Sequence, residues 1–300
     1  MEDLYGADAV KATWEYLNQN ASSIYRIDDL DAALPPGGFN SVLPAYFIWN
    51  YFTGDARGPL GFHRDATELT SARRTVINLV AGTNETGTSD ADHLATEYIT
   101  VLPKNQPGGL RSAIGLSESG DWKLTVLLVT EDRVQVLEPA SPVFNLADFG
   151  SYEEVVFIPA VTALEGSRYA YSYTFSVIDD EEEGFRSVDL RADSTGRPFV
   201  ALEDNVFEAT VKAHGAQGSP VTWSVSRISG DMVVGVDGQS DLSGFETAED
   251  VIRITAAGEG TTTTLVRGSV EGTTVSMLWV RFNSPIIRNE APVFKSISDK

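Results

Sequence analysis

Two side chains in this chain sit at a spacing that could hold a metal ion. His63 and Asp65 are separated by one residue, so in a strand both point to the same face. An imidazole and a carboxylate on one face make up two-thirds of the facial triad that binds ferrous iron. The chain has three histidines, so the search for a further ligand is short. His93 follows Asp90-Ala91-Asp92 in a loop-forming stretch, and His214 lies in a different part of the chain. There are no cysteines, which removes thiol catalysis, zinc–thiolate sites and disulfides. No serine stands in a Gly-x-Ser-x-Gly elbow. The glycine pair Gly108-Gly109 has only Lys104 and Arg111 nearby, too little for a phosphate loop. With 43 acidic residues, close carboxylate pairs arise by chance and nominate no glycosidase site. Asp237-Gly238-Gln239-Ser240-Asp241 carries oxygen donors at loop spacing. It lacks the EF-hand pattern and its closing bidentate glutamate, so it reads as a plain turn. No catalytic residue and no cofactor are expected, with His63 and Asp65 as the one candidate metal pair.

Composition narrows the partners. The net charge is −21, which disfavours nucleic acid, since few cations are available to release condensed counterions. It equally disfavours an anionic membrane surface. Of the 22 basic residues, most are arginine, the better donor for fixed interface pairs. No run of apolar residues is long enough to span a bilayer, and Met1-Glu2-Asp3-Leu4-Tyr5 lacks the pattern of a secretory signal. No membrane insertion is expected, and either the mature chain is numbered from a new Met or the protein acts without that export route.

The elements that must position any site are mostly strands. Residues 7–19 predict one helix, with Val10, Trp14 and Leu17 at helical spacing and Lys11 paired to Glu15 four residues on. The aromatic block 46–52, Tyr-Phe-Ile-Trp-Asn-Tyr-Phe, predicts a strand buried on both faces. Further strands are expected at 74–80, 97–102, 123–129, 133–137, 154–159 and 168–177. Those at 123–129 and 133–137 are close enough to form a hairpin. In the last of these strands Tyr169, Tyr171, Tyr173, Phe175 and Val177 alternate and share a face, which reads as sheet core. The acidic run 179–184 predicts a solvated loop, and the turn-rich stretch 191–198 a linker. The chain therefore divides into a β-rich front domain, residues 1–195, bearing the N-terminal helix, and a second domain, residues 196–300. In the second domain short Val/Thr/Phe/Trp-rich runs recur at about the 8–12-residue spacing of a sandwich or barrel. Val221, Trp223 and Val225 share one face there.

Two resemblances bear on function. The stretch from Asn50 to Asp55, then Gly61-Phe62-His63-Arg64-Asp65, then 74–79, resembles the first half of the iron/2-oxoglutarate oxygenase double-stranded β-helix. Gly166-Ser167-Arg168-Tyr169 resembles the segment carrying that family's 2-oxoglutarate-binding arginine. The likeness spans about residues 43–178. It implies a second histidine ligand several residues before Gly166, where this chain has Phe157-Ile158-Pro159-Ala160. An active oxygenase is therefore not expected. Residues 220–282, carried by 221–226, 252–258 and 275–282, resemble a bacterial immunoglobulin-like domain. That resemblance implies adhesins or added modules on virion proteins of tailed viruses. The combined expectation is a mainly β protein: an N-terminal helix, a β-rich front domain and a C-terminal immunoglobulin-like sandwich. Its expected role is a tail, fibre-adaptor or capsid-decoration component of a virion, assembled in the host cytoplasm. The expected partners are copies of itself, other virion proteins and host-surface glycans. A cell-surface adhesin fragment and an oxygenase-like enzyme are the alternatives. The front domain is expected to carry assembly, so that removal of residues 197–300 would leave it intact.

Overall fold

The computed structural model describes residues 11, 13–17, 19, 27–34, 37–54, 68–104, 108–131, 134–139, 141–178, 189–192, 201–202, 206–214, 220–230, 232–237, 245–247, 251–258, 260–270 and 275–283. Residues 11, 13–17 and 19 are helical, as expected, and Lys11 Nζ lies 3.6 Å from Glu15. The buried face differs from expectation. Thr13 and Leu17 are buried while Trp14 is 58% exposed. The Thr13 hydroxyl donates to the carbonyl of Ala33, so a polar anchor sets the rotation of this helix. Helix α1 (Ile27–Ala33) and helix α2 (Gly38–Tyr51) follow.

The aromatic block 46–52 is not a strand, because residues up to Tyr51 form the second half of α2. A short apolar run is compatible with a buried strand or a buried helix, and periodicity cannot separate them. Here the start of α2 decides. Gly37 adopts φ 97°, and the Phe39 amide donates to Asp31 Oδ1 at 2.6 Å. Buried positions such as Val42, Leu43, Phe47, Ile48 and Tyr51 lie on most sides of the helix, with Tyr46 left exposed, the pattern of a largely covered helix.

The strands are β1 (Arg74–Asn78), β2 (Asn84–Ala91), β3 (Tyr98–Leu102), β4 (Gly109–Leu116), β5 (Trp122–Val129), β6 (Val134–Glu138), β7 (Val143–Leu146), β8 (Glu154–Val161) and β9 (Tyr169–Ile178). After them come β10 (Asp189–Ala192), β11 (Ala201–Leu202), β12 (Val206–His214), β13 (Val221–Ser229), β14 (Val233–Val236), β15 (Phe245–Thr247), β16 (Val251–Ala257), β17 (Thr261–Val270) and β18 (Val275–Asn283). The chain is mainly β, with a few helices. The expected hairpin is present, β5 pairing antiparallel with β6. Strands β2, β4, β7, β10, β11 and β15 were not foreseen, and β10 takes in residues 191–192 of the expected linker.

In the front half, β2-β9-β4-β7 form one sheet, and β3-β8-β5-β6 are neighbours in a nine-stranded sheet that faces it. Counting β2 to β9 as one to eight, the pairings are 1-8-3-6 and 2-7-4-5, the connectivity of a jelly roll. Ile99, Val126, Leu128, Phe157, Ile114 and Phe175 fill the space between the two sheets. Tyr171 and Phe175 of the β9 stripe are buried there, with Tyr173 and Val177 partly buried beside them. The opposite face of β8 and β5 is covered by α2, against Val156, Ile158, Leu127 and Val129. Burial on both faces explains the unbroken apolar run of β8.

In the back half, β10-β12-β16-β14 form a second small sheet. It packs on β13, β17 and β18 around Trp223, Phe207, Ile254, Val266 and Phe282. Trp223, Val221 and Val225 are all buried on one face, as the alternation predicts.

The two halves share one sheet, whose full order is β1-β3-β8-β5-β6-β18-β17-β13-β15. The seam is β18 against β6, with Met277 opposite Val136 and Ser276 opposite Leu137. Arg267 Nε lies 3.9 Å from Glu138 beside it. Leu265 and Met277 from the back half join the core beneath α2. The register puts both small sheets on one face of the long sheet and the helices on the other. The expected junction falls mostly at residues 179–188 and 193–200, which lie outside the described residues, as does the acidic run 179–184.

Candidate functional site

His63 and Asp65 lie outside the described residues. Residues 157–160, where the oxygenase resemblance implies a second histidine ligand, lie in β8, and Phe157 there is fully buried between the two sheets. Its ring stands 4.7 Å from that of Phe175. Aromatic and aliphatic side chains thus pack this part of the interior between the two sheets. Among the described residues no group of three or more His, Cys, Asp or Glu side chains is placed to hold a metal ion. Asp237, at the start of the other oxygen-rich stretch, has φ 46° and accepts the Arg253 amide at 3.0 Å, the geometry of a turn; residues 238–241 lie outside the described residues.

Arg168 is also placed differently from the oxygenase expectation. It lies on the connection before β9, with φ 55°. Its exposed guanidinium reaches Asp90 of β2, Nε to Oδ2 at 3.6 Å. Its amide donates to Asp92 Oδ1 at 3.0 Å, and His93 Nδ1 lies 2.8 Å from the Gly166 carbonyl. These bonds tie the connection after β2 to the connection before β9. The turn after β4 joins the same end, since the Ser117 amide donates to the Ala170 carbonyl and the Thr162 amide to the Asp121 carbonyl. Over this end of the outer face of the small sheet lies an open groove of 770 Å³, lined by Thr88, Asp90, Gly115, Ser117, Arg168 and Ser172 among others.

A second polar cluster sits where α2 ends against the long sheet. The Tyr51 hydroxyl lies 3.0 Å from Thr100 Oγ1 and accepts from Arg74 at 3.0 Å. The Arg74 guanidinium is also 5.0 Å from the Tyr51 ring centroid and 3.9 Å from Glu154. Burial first, and then the Glu154 charge, push Tyr51 up to about 12 from its ordinary 10.0. Burial also raises the Glu154 carboxyl, offset in part by its hydrogen bond with Tyr51 and by Arg74. The cluster clasps the first strand, the last turn of α2 and the start of β8, which is a structural task.

That arrangement has a pH consequence. An unfolded chain releases the tyrosine proton near pH 10, whereas the folded chain holds it to about pH 12. The folded state binds more protons in that window, so stability present below pH 10 is lost as pH rises towards 12. Tyr51→Phe is expected to flatten this alkaline decline, while costing about 1–2 kcal/mol at neutral pH from its lost hydrogen bonds. Thermal unfolding from pH 8 to 12 checks it. An unchanged alkaline slope would show that Tyr51 ionises freely.

Large apolar side chains are exposed at several described positions, including Trp14, Tyr46, Val76 and Val143. No described helix is long and apolar enough to cross a membrane. Sequence reasoning missed the groove, because its floor is built from β2 and β4, strands with weak signals of their own. Comparison with known proteins adds no name to this geometry: no protein-family model matches the chain, and no curated protein matches it.

Proposed function

We propose that this chain is a structural component of a tailed virus particle, in the tail, as a fibre adaptor or as a capsid decoration. In this reading the front half docks on itself and on other particle proteins, and the back half projects as an immunoglobulin-like domain. The observation that carries the reading is the filled jelly roll welded to a second sandwich through one nine-stranded sheet. Jelly rolls recur in viral capsid and lectin domains. Among the described residues the space between the sheets of this one is packed by Phe157, Phe175 and their neighbours. The continuous sheet joins the two halves through the pairing of β18 with β6, which suits a building unit.

The immunoglobulin-like reading is supported by pairing order. If β10, β12, β13, β14, β16, β17 and β18 are lettered A to G, the small sheet runs A-B-E-D and the long sheet contains C-F-G, the arrangement of that fold. Trp223 sits on strand C, fully buried, where such domains keep a core tryptophan. Strands B and F carry no cysteine, so packing alone joins the sheets.

A particle component needs a self-complementary or heterologous contact. Trp14 and Tyr46, both exposed on the helical side, are of the types enriched at interfaces. Light scattering on the purified full chain is expected to give a discrete oligomer, and Trp14→Glu with Tyr46→Glu to reduce it to smaller species. A full chain that stays monomeric at high concentration, and fails to enter assembled particles, would overturn the assignment. Iron-dependent turnover of 2-oxoglutarate, lost in His63→Ala, would replace it with the oxygenase reading.

A further inference from the structure

We propose that the groove on the outer face of the β2-β9-β4-β7 sheet is a carbohydrate site that takes neutral sugar units of a glycan. The argument runs from the groove's own chemistry and does not depend on the particle assignment. The groove is open and shallow, so it would cover one face of a sugar unit rather than enclose it. The floor is low because Gly115 stands beside Ser172, and a Cβ at Gly115 would run into the Ser172 hydroxyl. Thr88, Ser117 and Ser172 offer hydroxyls that both donate and accept, while Asp90 only accepts and Arg168 only donates.

The charge balance selects the class of ligand. Asp90 and Arg168 face each other at 3.6 Å, so the charged groups of the lining offset one another. An anion would meet one arginine already held by Asp90, with Asp92 bonded to the same segment. A cation would meet one carboxylate already paired. An apolar ligand would strand the hydroxyls and charges without partners, which is costly. A neutral polyhydroxylated ligand is the class that uses mixed donors and acceptors at no net charge, and its C–H faces can lie on Gly115 and Ala170. The site is held in shape rather than assembled on binding. The Arg168 amide is fixed by Asp92, the Gly166 carbonyl by His93, and Arg168 keeps a left-handed backbone, a conformation that the surroundings must impose.

Saturation-transfer NMR on the full chain, with maltotriose, triacetylchitotriose and sialyllactose as separate probes, tests the proposal. Transfer to at least one neutral trisaccharide is expected, exceeding that to sialyllactose. Asp90→Ala should weaken binding about tenfold or more, the scale of a lost hydrogen bond to a charged group. Ser172→Tyr should abolish it by filling the groove. Asp90 and Ser172 are both exposed, so the thermal transition should stay near that of the parent. If Ser172→Tyr proves unstable, Asp90→Ala carries the test by itself. No transfer to either neutral probe, stronger transfer to sialyllactose, or transfer that Asp90→Ala leaves unchanged would each overturn the proposal.

Discussion

Replacing Trp223 with alanine is expected to destabilise the C-terminal sandwich by about 3–5 kcal/mol, the range for deleting a large buried aromatic. The side chain is fully buried and packs among residues of both facing sheets, including Val211, Ile254, Val266 and Phe282. There is no disulfide to hold those sheets together once the ring is gone, since the chain has no cysteine. The indole nitrogen has no hydrogen-bond partner among the described residues, so the loss is one of packing. Trp223→Phe should therefore recover much of the stability, whereas a lost hydrogen bond would leave it as damaged as alanine. Chemical denaturation followed by far-ultraviolet circular dichroism measures both variants. A cost for Trp223→Ala below roughly 1 kcal/mol, well under that range, would mean that the ring does not join the two sheets.

Cutting the chain before residue 193 is expected to have the other large effect, and in the opposite sense from what the sequence suggests. A separate second domain could be removed without harm. Here β18 covers the backbone of β6, and Leu265 and Met277 complete the core beneath α2. Truncation would expose a strand edge carrying Val136, Leu137 and Glu138 together with part of that core. Uncovered apolar edges pair with other chains, so the truncated protein should form heterogeneous, concentration-dependent aggregates. Light scattering with size-exclusion chromatography makes the distinction. A single discrete species with the same subunit number as the full chain would show that the seam is dispensable. Met277→Asp in the intact chain offers a gentler version, since it puts a charge beside Val136 and should loosen the seam while leaving Trp223 buried.

The parts of the fold that were legible share one property: their signal is local. Strict alternation placed Trp223, Val221 and Val225 on one buried face, and Tyr171 and Phe175 inside the jelly roll. The apolar runs at 123–129 and 154–159 announced strands β5 and β8. The missed strands lacked such a signal. Strand β2 reads Asn-Glu-Thr-Gly-Thr-Ser-Asp-Ala and buries only its last residue, as an edge strand with one solvated face can. Strand β4 carries Gly109 and Gly115, so it read as loop, although Leu110, Ser112 and Ile114 alternate inward.

The strand assignment of 46–52 failed for a different reason. Aromatic and β-branched residues favour strands by fitting a pleated, half-buried surface, but α2 buries most of them against a sheet and neighbouring helices, so tertiary packing overrode propensity. At the candidate sites the same division holds. Residue types alone excluded thiol chemistry, and the oxygenase resemblance implied a ligand that residues 157–160 do not supply. That Phe157 packs between the two sheets, that Arg168 turns outward to Asp90, and that β18 meets β6 were decided only by the tertiary structure. Each joins residues far apart in the chain, such as Met277 and Val136. Side-chain alternation is written in a few neighbouring residues, whereas the choice of partner strand depends on which edges and faces remain to be buried once the rest of the chain has folded.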